Sequence, residues 1–313
     1  MIEVRGLTKQ YGAVRAVDDI TFDVKPGVVT GFLGPNGAGK STTMRMIVGL
    51  DNPTAGTATI GGTAYRKLKN PLRTVGALLD AKAVHPNRSA ANHLKWIAQT
   101  NGIPTTRVDE VLELVGLTSV ASKKAGGFSL GMGQRLGLAA ALLGDPEVLI
   151  LDEPVNGLDP EGIRWVREFL RSLAQQGRTV LVSSHLLSEM AQTADELVVI
   201  GRGKLVAHAS TYDFIREHAS TSVVVRADNL EGLHAALQAS GIESAIGVDE
   251  EQRPTLTVME RTSDEIGAIA FDKGIKLALL EQRRASLEEA FMRLTGDAVQ
   301  YQSTVAPGAH RVG

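Results

Sequence analysis

The stretch from Gly34 to Ser41 constrains the fold of this chain more than any other feature, because it matches G-x-x-x-x-G-K-[ST] at every fixed position. The apolar run from Val28 to Leu33 precedes it and predicts a strand, and the segment from Thr42 to Leu50 has the apolar spacing of a helix. The alternative is a chance glycine-rich turn. The strand–loop–helix context and the motifs further along the chain favour a phosphate-binding loop.

The residue types of this loop suit a nucleoside triphosphate. Glycines let backbone N–H groups curl around an anion, and the helix that follows offers its N-terminal dipole. Lys40 is expected to reach the β- and γ-phosphates, and the Ser41 hydroxyl to bind Mg²⁺. The candidate nucleotide-binding residues are Gly34, Pro35, Asn36, Gly37, Ala38, Gly39, Lys40, Ser41 and Thr42.

A second motif places two carboxylates at a strand end. Val148 to Leu151 is apolar throughout, as in a parallel strand covered on both faces, and Asp152 and Glu153 follow it. Ligands bind at the carboxyl ends of strands in open α/β sheets. Asp152 therefore suits the Mg²⁺ shell, and Glu153 can polarise an attacking water as a catalytic residue. The alternative, an acidic strand end that caps the next turn, is less favoured beside a phosphate-binding loop.

The stretch from Phe128 to Arg135 is the third motif, and by itself it is weak. Ser129 and Gly131 before a helix make an ordinary N-cap, but together with the following N–H groups they also make a second phosphate-sized cradle. One nucleotide cannot obviously use two cradles of one chain. The economical solution is two copies that face each other, each closing its cradle on the partner's nucleotide.

Strands and helices alternate along the first two thirds of the chain and predict a mainly parallel α/β sheet with a helical insertion. From about Ala219 a second unit follows the order β-α-β-β-α-β, which is the order of a split βαβ, ferredoxin-like α+β domain extending to residue 296. The polar segment from Asp297 to Gly313 is expected to be a disordered tail. A chain of 313 residues agrees with one large and one small domain.

Composition limits the possible partners. The chain has no cysteine, which excludes disulfides and thiolate metal sites, and its net charge of −2 gives no bulk attraction to nucleic acid or anionic lipid. The N-terminus lacks an apolar signal region, and no apolar stretch approaches the length of a membrane span. Any membrane contact is therefore expected to come only through a partner protein.

With these motifs in place, the segment from Met1 to Ala219 resembles the nucleotide-binding subunit of ABC transporters. The resemblance includes Asn156 to Asp159 as the D-loop and His185 as the switch histidine. It implies a P-loop NTPase (RecA-like) core over residues 1–218, with an antiparallel β edge and a helical subdomain at about 82–133. It also implies ATP and Mg²⁺ as ligands, a head-to-tail dimer around two ATP molecules, a separate transmembrane permease, and a position on the cytoplasmic face of the membrane.

The resemblance assigns further site residues. His185 is expected to contact the γ-phosphate and take part in catalysis, and Tyr11 to stack on adenine. Asp159 either bridges to the partner subunit near the nucleotide or caps the helix before Pro160. Asp80 stands where most relatives carry a glutamine, and its oxygens can still hold Mg²⁺ or its water. The remaining histidines, such as His85, His93 and His208, are expected on the surface.

The signature departs from the common Ser-Gly-Gly-Gln, since Leu130 and Met132 replace a small and an amide residue. This change resembles a branch of bacterial exporters of the bacitracin- and daunorubicin-resistance type, which favours export of drugs or antibiotics. The permease is expected to dock in a groove formed by Gly76 to His85 and the helical insertion. Alternatives are an importer subunit or a soluble ABC ATPase acting on nucleic acid or ribosomes. A GTPase or kinase is disfavoured because no Asn-Lys-x-Asp motif occurs.

Overall fold

The first 211 residues alternate strands and helices, as the sequence predicts. In the computed structural model, which describes residues 1–80, 83–218, 221–249, 251–283 and 286–295, the chain forms two compact units, Met1–Thr211 and Tyr212–Leu294. The elements of the first unit are, in chain order, β1 (Ile2–Tyr11), β2 (Val14–Val24), β3 (Val29–Leu33), α1 (Lys40–Ile47), β4 (Ala55–Ile60), α2 (Pro71–Thr74), β5 (Val75–Leu78), α3 (Ala90–Thr100), α4 (Thr106–Leu114), α5 (Leu130–Leu142), β6 (Val148–Leu151), α6 (Pro160–Gln175), β7 (Thr179–Ser183), α7 (Leu187–Thr193), β8 (Glu196–Gly201) and β9 (Lys204–Ser210).

A six-stranded sheet organises the described part of this unit, in the order β5-β6-β7-β3-β8-β9. Its strands are parallel from β5 to β8, and β9 returns antiparallel to β8. Every residue of β3, β6 and β7 is buried, because α6 contacts β3 and β7 while Phe32, Ile150 and Leu181 share an apolar core with Phe22 of β2. The sequence prediction of a mainly parallel sheet is confirmed. The order matters for the site, since it brings the carboxyl ends of β6, β7 and β3 side by side.

A smaller antiparallel sheet, in the order β2-β1-β4, forms the predicted antiparallel edge. Strand β2 begins at Val14, six residues before the apolar alternation of Ile20, Phe22 and Val24 that indicates a strand in the sequence. The alternation of apolar residues is interrupted there because Asp19 adopts a left-handed backbone with φ of 53° and the pairing with β1 shifts register. The sequence pattern therefore shows only the second half of the strand.

The helical insertion lies between β5 and β6 and consists of α3, α4 and α5. These helices pack on one another through buried apolar side chains, among them Leu94, Val111 and Leu136. Helix α5 begins at Leu130, six residues before the apolar spacing that indicates a helix from Leu136 in the sequence. Two glycines in its first turn lower helix propensity and conceal the start, which the side chain of Ser129 caps. The predicted start of the insertion, at about residue 82, lies outside the described residues.

Helix α8 (Thr211–His218), which the sequence analysis assigns to no element, spans the division between the units. The other elements of the second unit are β10 (Ser222–Ala227), α9 (Leu230–Ala239), β11 (Ser244–Val248), β12 (Pro254–Met259), α10 (Ser263–Asp272), β13 (Leu277–Arg283) and α11 (Leu287–Thr295). The division between the units falls before the predicted boundary at Ala219. Ala219 and the predicted tail both lie outside the described residues.

The second unit has the predicted order β-α-β-β-α-β. Its sheet has the order β11-β12-β10-β13, and all neighbouring strands are antiparallel. One side of the sheet packs against α9 and α10 through a separate apolar core that includes Val223, Leu233, Leu256 and Ile266. Among the described residues of both units, no helix combines the length and the apolar character needed to cross a bilayer.

Candidate active site

The carboxyl ends of the central strands and the loop after β3 line one pocket. The residues that share it are Ala16, Pro35 to Thr42, Leu79, Asp80, Leu130, Gln134, Asp152, Glu153 and Asn156. Gly34 lies buried at the base of the loop. The structure therefore brings together the predicted phosphate-binding loop, the two carboxylates after β6 and Asp80, although 112 residues separate Ser41 from Glu153 in the sequence.

The loop after β3 has the shape of an anion cradle. Gly39 precedes α1 with φ of 105°, and a Cβ atom at that position would lie 2.5 Å from the carbonyl oxygen of Ala16, so the position requires glycine. The Lys40 ammonium is buried and donates a hydrogen bond to the Gly34 carbonyl at 2.6 Å. Burial lowers the pKa of Lys40, and the nearby carboxylates of Glu153 and Asp152 oppose that shift. The cradle and its buried cation fit a phosphate chain.

Asp152 and Glu153 are held by the neighbouring strand β7. The Ser183 hydroxyl donates a hydrogen bond to Asp152 Oδ1 and accepts one from the Glu153 N–H at 3.0 Å. Glu153 has φ of 50°, the left-handed region that side chains other than glycine rarely adopt. Ser183 is fully buried. The two carboxylates thus leave the strand end in fixed and different directions.

His185 lies against Glu153. Its ring Nδ1 is 2.8 Å from Glu153 Oε2, and its backbone N–H donates to the same oxygen at 3.3 Å. The imidazole is half exposed, whereas the carboxylate is 20% exposed. The pairing of β6 with β7 brings His185 beside the strand end that carries Asp152. Its predicted contact with a γ-phosphate stays a prediction.

In the signature stretch, Leu130 and Gln134 line the pocket of the phosphate-binding loop, whereas Ser129 lines a different groove. Ser129 Oγ accepts a hydrogen bond from the Met132 N–H at 3.2 Å and so caps α5. Ser129 lines a neighbouring groove with Pro86 and Phe128, and neither Ser129 nor Gly131 lines the pocket of the P-loop. Ser129 and the phosphate-binding loop thus line different pockets of the described chain, and the predicted second anion cradle stays a prediction.

The other predicted site residues are placed as follows. Tyr11 is half exposed outside the pocket; its hydroxyl donates to Asp51 at 3.2 Å and Lys9 lies over its ring. Asp159 accepts a hydrogen bond from the Gly162 N–H at 2.9 Å, so the helix-capping alternative is confirmed, and its bridging role stays a prediction. Asp80 lines the pocket beyond the end of β5.

The sequence analysis missed two residues of the site. It also placed His93, which does not line the active-site pocket, on the surface. Gln134 donates from Nε2 to the carbonyl oxygen of Glu153 at 3.1 Å, and Ser183 holds both carboxylate residues. The available signal was the presence of polar side chains in otherwise buried segments. The surface prediction is wrong for His93, which is only 7% exposed because it sits on the packed face of α3. Burial lowers the pKa of His93, and Arg88 lowers it further.

A second, more apolar groove opens on the other side of β5. Its lining includes Leu50, the segment from Val75 to Asp80, His93, Trp96 and Ile97. Trp96 is half exposed there and Leu50 is 58% exposed. The groove combines the strand region and the helical insertion that the sequence analysis names as a docking place. It adjoins the active-site pocket, because Asp80 and Asp152 line both.

Comparison with known proteins adds independent information. A family model described as "ABC transporter" matches residues 17–156, and a "Domain of unknown function" matches residues 221–288. The bacitracin transport ATP-binding protein BcrA of Bacillus licheniformis is 46% identical over 209 residues, which are 66% of this chain and 68% of BcrA. The uncharacterized ABC transporter ATP-binding protein YhcH of Bacillus subtilis (strain 168) is 36% identical over 95% of this chain and 96% of its own length.

A solved structure described as "Structure of ATP binding subunit of ABC transporter" superposes with a TM-score of 0.63. It is 28% identical and covers 69% of this chain and 92% of its own.

Proposed function

The chain belongs to the ATP-binding proteins of ABC transporters, and on this premise we propose that it hydrolyses Mg²⁺-bound ATP to power a separate membrane exporter. Backbone N–H groups from Asn36 to Thr42 and the buried ammonium of Lys40 bind the triphosphate. The Ser41 hydroxyl, Asp152 and Asp80 hold Mg²⁺, directly or through water, because hard cations prefer oxygen ligands. Bound Mg²⁺ supplies neutralisation of the charge that develops on the phosphate oxygens.

Glu153 is the catalytic base in this proposal. Its carboxylate faces the pocket beyond Asp152, where it can take a proton from a water in line with the γ-phosphate. His185 fixes one carboxylate oxygen and keeps the other directed to the pocket. The histidine also reaches the γ-phosphate, and Tyr11 turns its ring to the adenine when nucleotide is bound.

The proposal of a dimer rests on the separation between the phosphate-binding loop and the candidate second cradle at Ser129. Ser129 and Gly131 lie outside the P-loop pocket of their own chain, and the N-terminus of α5 offers unpaired N–H groups to an anion. A second copy in head-to-tail orientation places this cradle over the partner's γ-phosphate. Asp159 crosses to the partner near the nucleotide in the same arrangement. Two ATP molecules then hold the dimer together, and hydrolysis releases it.

The apolar groove beside β5 is the proposed contact with the permease. Exposed Leu50 and Trp96 offer apolar surface to a short helix of that partner, next to Asp80 at the nucleotide. This contact places the chain on the cytoplasmic face of the membrane. Relatives named for transport of bacitracin and of lantibiotics support an antibiotic as cargo, rather than action on nucleic acid or ribosomes.

Replacement of Glu153 by glutamine tests this function. Glu153→Gln keeps the shape of the pocket but removes the base, so hydrolysis should fall by roughly 10²–10⁴ while ATP still binds. With Mg²⁺ and ATP the variant should run as a dimer in size-exclusion chromatography with light scattering. Adding Ser129→Arg, which blocks the second cradle, should return it to a monomer. Turnover of Glu153→Gln near the wild-type rate would contradict the role of Glu153.

A further inference from the structure

Gln134 is a buried amide that makes an incomplete set of hydrogen bonds. The side chain lies on α5 and is 6% exposed, and its Nε2 donates to the Glu153 carbonyl oxygen at 3.1 Å. Its Oε1 is buried and accepts no hydrogen bond from any residue that the structure describes. A buried amide in this state is destabilising, and an apolar side chain of the same length would fill the space at lower cost. The bond to Glu153 is therefore a contact that an apolar side chain of the same length could not supply.

The bond falls on a residue whose backbone is strained. Glu153 has φ of 50°, and such a conformation persists in a residue with a side chain only when its surroundings fix it. Ser183 of β7 holds the N–H of Glu153, and Gln134 of α5 holds its carbonyl oxygen. Two different elements thus fix the two peptide groups that flank the catalytic carboxylate.

We propose that Gln134 is a positioning residue for Glu153 of its own chain. Its amide fixes the left-handed backbone of Glu153 and thereby directs the carboxylate to the attacking water. The inference rests on the proposed function, in which Glu153 is the base and α5 begins with the cradle for the partner's nucleotide. Gln134 follows Ser129 by five residues, about 7.5 Å along the helix axis. Helix α5 therefore binds the partner's nucleotide at its N-terminus. The same helix orients Glu153, which acts on the nucleotide of its own chain.

Gln134→Met tests the hydrogen bond while keeping the length of the side chain. The kcat of ATP hydrolysis should fall about tenfold, because without this hydrogen bond fewer molecules hold Glu153 in its productive conformation. The KM for ATP should stay within about twofold of wild type, because Gln134 bonds to Glu153 and not to the phosphate-binding loop. Leu138→Met is the matched control, since it changes a buried residue one turn further along α5, and it should keep wild-type kcat and KM. A normal kcat in Gln134→Met, or an equal loss in both variants, would overturn the proposal.

Mixed dimers separate an effect on the chain's own site from an effect on the partner's site. A dimer of one wild-type and one Glu153→Gln chain, purified through a different tag on each chain, has one intact catalytic base. Replacing its wild-type chain with Gln134→Met should lower the rate of that site about tenfold, because the altered glutamine and the intact Glu153 share a chain.

An unchanged rate in this mixed dimer would overturn the proposal, since it would mean that Gln134 acts through the end of α5 on the partner's nucleotide. Failure of Glu153→Gln to form any dimer with Mg²⁺ and ATP would overturn the proposed function, and this inference with it. A normal dimer with an unchanged rate would overturn the inference alone.

Discussion

At the scale of single residues, the contacts of Glu153 explain how a carboxylate can be both strained and well placed. Ser183 of β7 binds its N–H, and Gln134 of α5 binds its carbonyl oxygen. His185, in the loop after β7, binds its carboxylate. The strain of the left-handed backbone is local, and the three contacts offset it. Asp152 shares Ser183 with Glu153, so the candidate metal ligand and the candidate base are coupled through one hydroxyl.

Ser183→Ala should therefore impair catalysis more than binding. It removes a donor to Asp152 and an acceptor for Glu153, and we expect kcat to fall by about tenfold or more with little change in the KM for ATP. Ser184→Ala is a matched control, since the Ser184 hydroxyl caps the backbone of Leu186. Steady-state ATPase assays of both variants make the comparison. Equal losses in the two variants would contradict the coupling through Ser183.

Because His93 is buried, we expect the free energy of unfolding to depend on pH. Its pKa is lower in the folded protein than in the unfolded chain, chiefly through burial and then through Arg88. As the pH falls below about 6.5, the unfolded chain therefore binds the proton first, and folding stability is lost. Urea unfolding at pH 7.5 and 5.5 should show that the lower pH reduces the free energy of unfolding less in His93→Gln than in wild type. The exposed control His85→Gln should lose as much as wild type, and equal losses in all three proteins would contradict the assignment.

At the scale of elements, the sequence predicts those parts of the site that lie within one continuous segment. The P-loop between β3 and α1 and the carboxylates after β6 are such segments, and both are confirmed as neighbours in one pocket. The contacts of Gln134 and Ser183 could not be predicted, because each joins residues 19 to 31 positions apart and belongs to no local pattern. His93 was misplaced for a related reason, since only the packing of α3 in the insertion shows which of its faces is buried.

The first turn of α5 packs on the loop that contains Gly157. Gly157 has φ of 73°, and a Cβ atom there would lie 2.3 Å from Leu130 Cδ2. The contact joins the signature motif and the D-loop of one chain. Leu130, one of the two residues that depart from the common signature, is thus accommodated because residue 157 has no side chain.

Gly157→Ala should be more destabilising than Gly177→Ala. Both positions have positive φ, which costs a residue with a side chain roughly 1–2 kcal/mol, but a Cβ at Gly177 has no described atom within 4 Å. The difference in unfolding free energy between the two variants therefore reports the clash with Leu130. Adding Leu130→Ala should relieve the loss in Gly157→Ala and have no such effect in Gly177→Ala. Equal stabilities of the two glycine variants would contradict the packing.

At the scale of the whole molecule, the chain combines a P-loop unit with a second unit of independent core. The element order of the second unit agrees with the order that the sequence predicts, and its strands and helices supply their own apolar core. The helix from Thr211 to His218 was missed, since its apolar positions are few and continue directly from β9. The hydrolytic centre that we propose needs the first unit of two chains.

Complementation between two inactive variants tests this central claim most directly. Lys40→Ala disables the P-loop of a chain but leaves its Ser129 cradle, and Ser129→Arg does the reverse. Each variant alone has two defective composite sites and should be inactive. A mixed dimer has one site that joins an intact P-loop to an intact cradle, so mixing the two proteins should restore ATP hydrolysis well above the activity of either variant alone. The result that would contradict the account is full ATPase activity in Ser129→Arg by itself as a monomer, or a mixture no more active than its two components.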